Sequence, residues 1–161
     1  MTRQEHARQD AAEMASILQT AKCMARYDKV SHELLSELLV AIVTGGEVVG
    51  GNNLGSDVLS PTYGPIEVKS RILGTDGPFP RVSLKQHNLD KASWFAGMRW
   101  NKDFTLHDAI MLPKERVLEL YAAKRQGGGV AHISWRDWQH TVGALSIRHE
   151  CIAALGSVQQ T

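Results

Sequence analysis

The sequence predicts one mixed α/β domain, and three observations support this fold class. Helical and extended patterns follow one another in the order α-α-β-β-β-α-β-α-β-α, which is typical of a mixed sheet flanked by helices. The chain has 161 residues, a length that fits a single domain with its own core. Its 43% hydrophobic and 22% charged residues exclude a disordered or fibrous class.

Two helices are expected first. Residues 3–26 carry apolar side chains at helical spacing and predict an amphipathic helix. Ser31 has the chemistry of an N-cap, and the helix that it begins extends to about Val43. This second helix is apolar nearly all round towards its end, so we expect it to be buried before Gly45 and Gly46 end it.

Three short strands follow at hairpin distances. Residues 47–49 and 57–60 predict the first two, separated by a turn-rich segment that contains GGNNLGS. The third covers residues 66–72, in which apolar and polar side chains alternate as in a half-buried strand.

The rest of the chain is predicted to alternate between strands and helices. Extended segments are expected at residues 82–84, 108–112 and 130–133. Helices are expected at residues 85–98, from Pro113 to about Arg125, and from about 135 to 155. The domain therefore divides into an N-terminal helix within residues 1–30, a core at about 31–135 and a C-terminal helix.

Charge is unevenly distributed although the net charge is only +1. Residues 1–67 contain five Lys/Arg against nine Asp/Glu, whereas residues 69–102 contain seven against two. An acidic part followed by a basic part fits a carboxylate cluster beside a phosphate-binding surface. Chance clustering on a solvated face is the alternative interpretation.

The residues that indicate chemistry are Asp57, Glu67 and Lys69. Positions 67 and 69 leave the same face of a strand, and a hairpin would bring Asp57 to that face. Two carboxylates beside an ammonium group suit Mg²⁺ or Mn²⁺, with the lysine stabilising negative charge at the reacting phosphate. A surface hairpin with a cross-strand ion pair is the structural alternative.

The stretch GSDVLSPTYGPIEVKSR resembles the core motif of the PD-(D/E)XK nuclease superfamily, which has the restriction-endonuclease-like fold. The similarity spans about residues 31–112. It implies that Asp57 and Glu67 bind the metal ion, that the Val68 carbonyl completes the shell and that Lys69 assists the nucleophile. Ser56 departs from the family pattern, where the motif has proline.

The resemblance also suggests further members of the site. Family members often use a glutamate from the helix before the strands, which leaves Glu33 and Glu37 as candidates; we favour Glu37 because apolar residues flank it. Gln86 is expected to assist at the substrate. Lys85 and Arg71 are expected to contact the nucleic-acid backbone.

These features together predict a Mg²⁺-dependent endonuclease that acts on DNA, as a homodimer if it cuts both strands. RNA is an alternative substrate, as for a toxin or mobile-element effector. A nuclease fold that binds nucleic acid or protein without cutting is the other alternative. No apolar segment is long enough to span a membrane, and Cys23 and Cys151 lack metal-ligand spacing, so we expect a reduced, cytoplasmic protein.

Overall fold

The computed structural model describes residues 2–21, 31–49, 56–77 and 79–159. The helices are α1 (Arg3–Thr20), α2 (His32–Thr44), α3 (Gln86–Leu89), α4 (Lys114–Lys124), α5 (Trp135–His140) and α6 (Arg148–Gln159). The strands are β1 (Glu47–Val48), β2 (Val58–Ser60), β3 (Gly64–Ile72), β4 (Val82–Lys85), β5 (Trp94–Trp100), β6 (Leu106–Pro113), β7 (Arg125–Gln126), β8 (Val130–Ile133) and β9 (Leu145–Ser146).

The described strands form two sheets. The larger sheet has six strands in the order β1-β2-β3-β5-β6-β9, and the smaller has three in the order β4-β8-β7. Strand β3 pairs antiparallel with β2 and parallel with β5. The larger sheet is therefore mixed, and together with the helices it confirms the mixed α/β class.

Hydrophobic side chains form two cores, one on each face of the larger sheet. Ala96, Met98 and Trp100 of β5 belong to the core that includes residues of α2 and α6. Phe95 of the same strand belongs to the other core, which includes Leu84 of the smaller sheet and residues of α4 and α5. Because successive side chains of a strand point to opposite faces, β5 is buried on both.

Helix α2 begins and ends at the capping residues that the sequence predicted. The Ser31 hydroxyl accepts a hydrogen bond from the Leu34 N–H, and Gly45 ends the helix with a left-handed conformation (φ 67°). The buried Ser36 hydroxyl accepts a hydrogen bond of 2.8 Å from the Trp100 indole N–H. This bond links α2 to the centre of the larger sheet.

Two of the predicted helices are wrong in extent. Within residues 85–98 only α3 is helical, and β5 occupies the later part of that segment. The helix predicted from about 135 to 155 is divided into α5 and α6 by β9 and by Gly143, whose φ is 89°. The N-terminal helix is described to Thr20, and its predicted part beyond residue 21 lies outside the described residues.

Two predictions concern the environment of the chain. None of the helices in the described ranges is both long and apolar enough to cross a membrane. Cys151 is a free, buried thiol, and burial raises its pKa to about 12. Cys23 lies outside the described residues.

Candidate active site

A cleft of about 440 Å³ lies between β3 and the smaller sheet, with α2 along one side. Most of the predicted site residues line it, namely Glu33, Glu37, Asp57, Glu67, Val68, Lys69, Arg71 and Lys85. Strand β3 supplies the middle of the cleft, and β4 and β8 supply the opposite wall through Ser83, Lys85, Val130 and His132. The structure thus brings the proposed triad together in one polar concavity.

Hydrogen bonds of the Asp57 backbone hold this residue at the start of β2. Its N–H donates to the Ile66 carbonyl at 3.0 Å, and its carbonyl accepts from the Val49 N–H at 3.0 Å. The Asp57 Oδ2 atom accepts a hydrogen bond of 2.7 Å from the Val68 N–H. The antiparallel pairing of β2 with β3 therefore places the carboxyl group beside Glu67, as the sequence predicted.

Glu67 is a buried carboxyl group, with only 5% of its surface exposed. Its Oε1 atom lies 2.9 Å from the Lys69 ammonium nitrogen and accepts a hydrogen bond of 3.1 Å from Asn88 Nδ2. Lys69 is partly exposed to the cleft, with 26% of its side chain accessible. The ion pair therefore has one buried and one partly solvated member.

Both carboxyl groups titrate above their ordinary range. Burial raises the pKa of Asp57, although the Val68 N–H and the charge of Lys69 act in the opposite direction. Burial also raises the pKa of Glu67, and the charge of Asp57 raises it further. Each carboxyl group acts on the pKa of the other, so the two form an interacting pair in which both bind a proton more readily than a carboxyl group in water.

The donor set at this pair fits Mg²⁺ or Mn²⁺. Across the part of the chain that the structure describes, no group of three or more His, Cys, Asp or Glu side chains is placed to hold a metal ion. Mg²⁺ commonly takes only one or two carboxylates from a protein, and water and phosphate oxygens complete its shell. Asp57 and Glu67 provide that number of carboxylates in the wall of the cleft.

Both helix glutamates line the cleft, so the preference for Glu37 over Glu33 stays a prediction. The charge of Glu33 raises the pKa of Asp57, which shows that Glu33 is electrostatically coupled to the carboxyl pair. Glu37 is half-buried one turn further along α2. Either residue can therefore add negative charge beside the pair.

The predicted substrate-facing residues differ in position. Arg71 and Lys85 line the cleft. Gln86 begins α3 as expected, but its side chain is exposed and does not line the cleft. The backbone N–H of Gln86 donates a hydrogen bond of 3.3 Å to the Gly129 carbonyl. Asn88, two residues later, makes the contact with Glu67 instead.

Sequence reasoning missed Asn88, Ser83 and His132. Ser83 and His132 face each other across the antiparallel pair β4–β8, and their Oγ and Nδ1 atoms are 2.8 Å apart. This pairing joins segments that are far apart in sequence, and no local pattern predicts it. His87, interpreted from the sequence as a surface histidine near the site, is exposed and lines the cleft.

Neither a protein-family model nor a curated protein matches the chain. The function is therefore inferred from the residues and geometry of the cleft.

Proposed function

We propose that this protein is a metal-dependent nuclease that hydrolyses phosphodiester bonds, and that its substrate is DNA. The observation that carries the proposal is the pairing of the half-buried Asp57 carboxyl group with the buried Glu67 carboxyl group, beside the Lys69 ammonium group in a polar cleft. Placing two carboxylates next to each other away from water is unfavourable, and a cation bound between them would offset that cost. One lysine, already partly solvated, offsets only part of that cost.

Asp57 and Glu67 would hold the divalent ion, and the ion would supply Lewis-acid stabilisation of the phosphate and of the attacking oxygen. Lys69 would orient the attacking water through its ammonium N–H groups and stabilise the negative charge that develops on the phosphate. Arg71 and Lys85, which line the same cleft, would bind the phosphates on either side of the scissile bond. The attacking water would release its proton to solvent in the open cleft, and the leaving sugar oxygen would take up a proton from the same solvent.

The restriction-endonuclease-like fold belongs to the same proposal. In its support, helix α2, which is buried on one side and leaves Ile42 63% exposed on the other, precedes a hairpin. The second strand of that hairpin carries Glu67 and Lys69 and lies inside a mixed sheet. The part of the chain after β3 departs from the expected order. There, one turn of helix and the buried strand β5 replace the single long helix expected at residues 85–98.

The proposal is tested by incubating the purified protein with supercoiled plasmid, a branched junction, single strands and RNA, in Mg²⁺, Mn²⁺ or EDTA. We expect cleavage only with metal, and a loss of about 10²–10³-fold in rate for Asp57→Ala and for Lys69→Ala. Lys91→Ala, at an exposed residue after α3, is the matched control and should cut like the wild type.

Each alternative has its own outcome in this assay. Cleavage of RNA alone would replace DNA by RNA as the substrate. Binding without cleavage under every metal condition would favour a nuclease fold that only binds nucleic acid. Equal cleavage by the wild type and by both alanine variants would contradict the assignment of the site. The homodimer stays a prediction, which sedimentation of the protein with a duplex substrate tests.

A further inference from the structure

A second pocket, of about 330 Å³, lies beyond the cleft and is lined by three arginines, Arg81, Arg99 and Arg136, together with Phe79 and Trp135. Its described lining residues include no carboxylate. Asp108 acts on Arg99 and Asp137 acts on Arg136, and each of these carboxylates has another partner. Asp108 accepts a hydrogen bond of 3.0 Å from the Trp135 indole N–H, and Asp137 lies 3.4 Å from the Lys124 ammonium nitrogen. The pocket is therefore positively charged.

Arg99 is the most unusual of the three arginines. It is only 9% exposed, its guanidinium group lies 5.0 Å from the centre of the Trp135 ring, and its Nε has no hydrogen-bond partner among the described residues. Burial lowers the pKa of Arg99, and the charge of Asp108 only partly opposes this. A buried cation held on an aromatic ring is expected where an anion completes its environment.

The pocket lies next to the cleft, because a small depression shares lining residues with both. Arg71 and Arg99 are direct neighbours in the parallel pairing of β3 with β5. Lys69 and Arg71 line both the cleft and a small depression next to it, and Arg81, Arg99 and Trp135 line both that depression and the pocket. A row of cations therefore leads from the proposed catalytic lysine to the arginine pocket.

Phe79 adds an aromatic surface to this row. Phe79 is 85% exposed and lines the pocket together with the three arginines. Exposed aromatic rings next to arginines are the combination with which proteins bind unpaired bases and their phosphates. A duplex does not offer the face of a base for stacking, whereas a single strand does.

We propose that this arginine pocket binds a single-stranded nucleic-acid segment next to the scissile phosphate, with phosphates on Arg81, Arg99 and Arg136 and an unpaired base on Phe79. The inference rests on the proposed function, because it takes the strand in the cleft to be nucleic acid. It adds a substrate class, since it requires an unpaired region beside the cleavage point.

The test measures binding without cleavage, by fluorescence anisotropy of a labelled single strand of about 15 nucleotides in EDTA. The variants are R81A/R136A, at two exposed arginines of the pocket, and Phe79→Ala. The matched control is R116A/R148A, which removes the same charge from two arginines outside the pocket. All variants change side chains that are accessible to solvent, so we expect them to fold like the wild type. Their unfolding temperatures check this.

We expect R81A/R136A to weaken binding at least tenfold and to reduce the slope of log K against log salt by about 1.4, which corresponds to two phosphate contacts on a single strand. Phe79→Ala should weaken single-strand binding about tenfold and leave duplex binding unchanged. The control should stay within twofold of the wild type. The proposal is overturned if R81A/R136A and the control bind equally, or if the wild type prefers a blunt duplex to the single strand.

The two proposals fail in different ways. If the wild type binds single strands through the pocket but never cuts, the proposed nuclease activity is contradicted and the proposed role of the arginine pocket is supported. If the protein cuts with metal but binds single strands equally well with and without Arg81 and Arg136, the proposed nuclease activity is supported and the proposed role of the pocket is contradicted.

Discussion

At the scale of single residues, Glu67 connects the parts of the site that the chain supplies from different elements. Its carboxyl group contacts Lys69 on its own strand, Asn88 on α3 and Asp57 at the start of β2. The Asn88 side chain is itself fixed, because its Oδ1 accepts a hydrogen bond of 2.9 Å from the Lys85 N–H. Asn88 is therefore a positioning residue for the carboxylate that would hold the metal.

Asn88→Ala should weaken metal binding without removing a metal ligand. The Mg²⁺ concentration that gives a fixed rise in unfolding temperature is expected to increase about tenfold, since partners that orient ligands typically contribute that much to affinity. Lys91→Ala, at a nearby exposed residue, is the control and should leave this concentration unchanged. A purely structural role for Asn88 would instead lower the unfolding temperature equally with and without Mg²⁺.

The sequence could predict Asp57, Glu67 and Lys69 because their geometry is local. Two residues separated by one position share a strand face, and a short hairpin brings the aspartate alongside. Asn88 and His132 could not be predicted in this way. Their positions depend on the docking of α3 and on the pairing of β4 with β8, which are set by contacts distant in sequence.

At the scale of elements, β5 shows why part of the fold could not be predicted. Its sequence, WFAGMRW, has no alternation of polar and apolar residues, because both of its faces are buried. A continuous apolar run of this kind fits a buried strand or a buried helix equally well. The half-buried strand β3, with polar residues on the cleft face, was recognisable by its alternation.

Gly97 in the middle of β5 allows the close packing of α5 against the sheet. A Cβ atom at this position would lie 2.8 Å from Trp135 Cζ3 and 2.9 Å from Trp138 Nε1. The Trp138 indole N–H also donates a hydrogen bond of 3.0 Å to the Ile110 carbonyl. Neither ring can move away without loss, because each donates a hydrogen bond, Trp135 to Asp108 and Trp138 to Ile110.

Gly97→Ala is therefore expected to destabilise the protein by about 1–3 kcal/mol through overpacking. Chemical denaturation followed by tryptophan fluorescence measures this change. Gly127→Ala is the matched control, since a Cβ there meets no atom within 4 Å, and it should leave the free energy of unfolding nearly unchanged. Equal stability of the two variants would contradict this prediction, because it would mean that α5 can move away from the sheet at little cost in free energy.

At the scale of the whole molecule, the carboxyl pair makes stability depend on pH. Folding raises the pKa of Asp57 above 3.8 and that of Glu67 above 4.5, so the native state binds protons more tightly than the unfolded chain. The stabilising contribution of these groups is fully present below those ordinary values. It is lost as the pH rises through the raised pKa values of the folded protein.

In EDTA, Asp57→Asn should therefore be more stable than the wild type at pH 8 and lose this advantage near pH 4. Asparagine keeps an oxygen that can accept the Val68 N–H, so the change removes mainly the charge. For each 1 kcal/mol gained by removing the half-buried charge and its repulsion of Glu67, we expect a rise of about 2–4 °C in the unfolding temperature of a chain of this size. Mg²⁺ should stabilise the wild type more at pH 8 than at pH 5 and should have little effect on the variant. A variant less stable than the wild type at pH 8 would contradict this linkage.

The central claim, that Asp57 and Glu67 together hold a divalent ion, is tested most directly by anomalous diffraction from crystals soaked in Mn²⁺. The account predicts one strong anomalous peak within about 2.5 Å of oxygen atoms of both carboxyl groups, and no peak there in Asp57→Asn crystals soaked in the same way. The absence of a peak between the two carboxyl groups in the wild type, or a peak that persists in the variant, would contradict the claim.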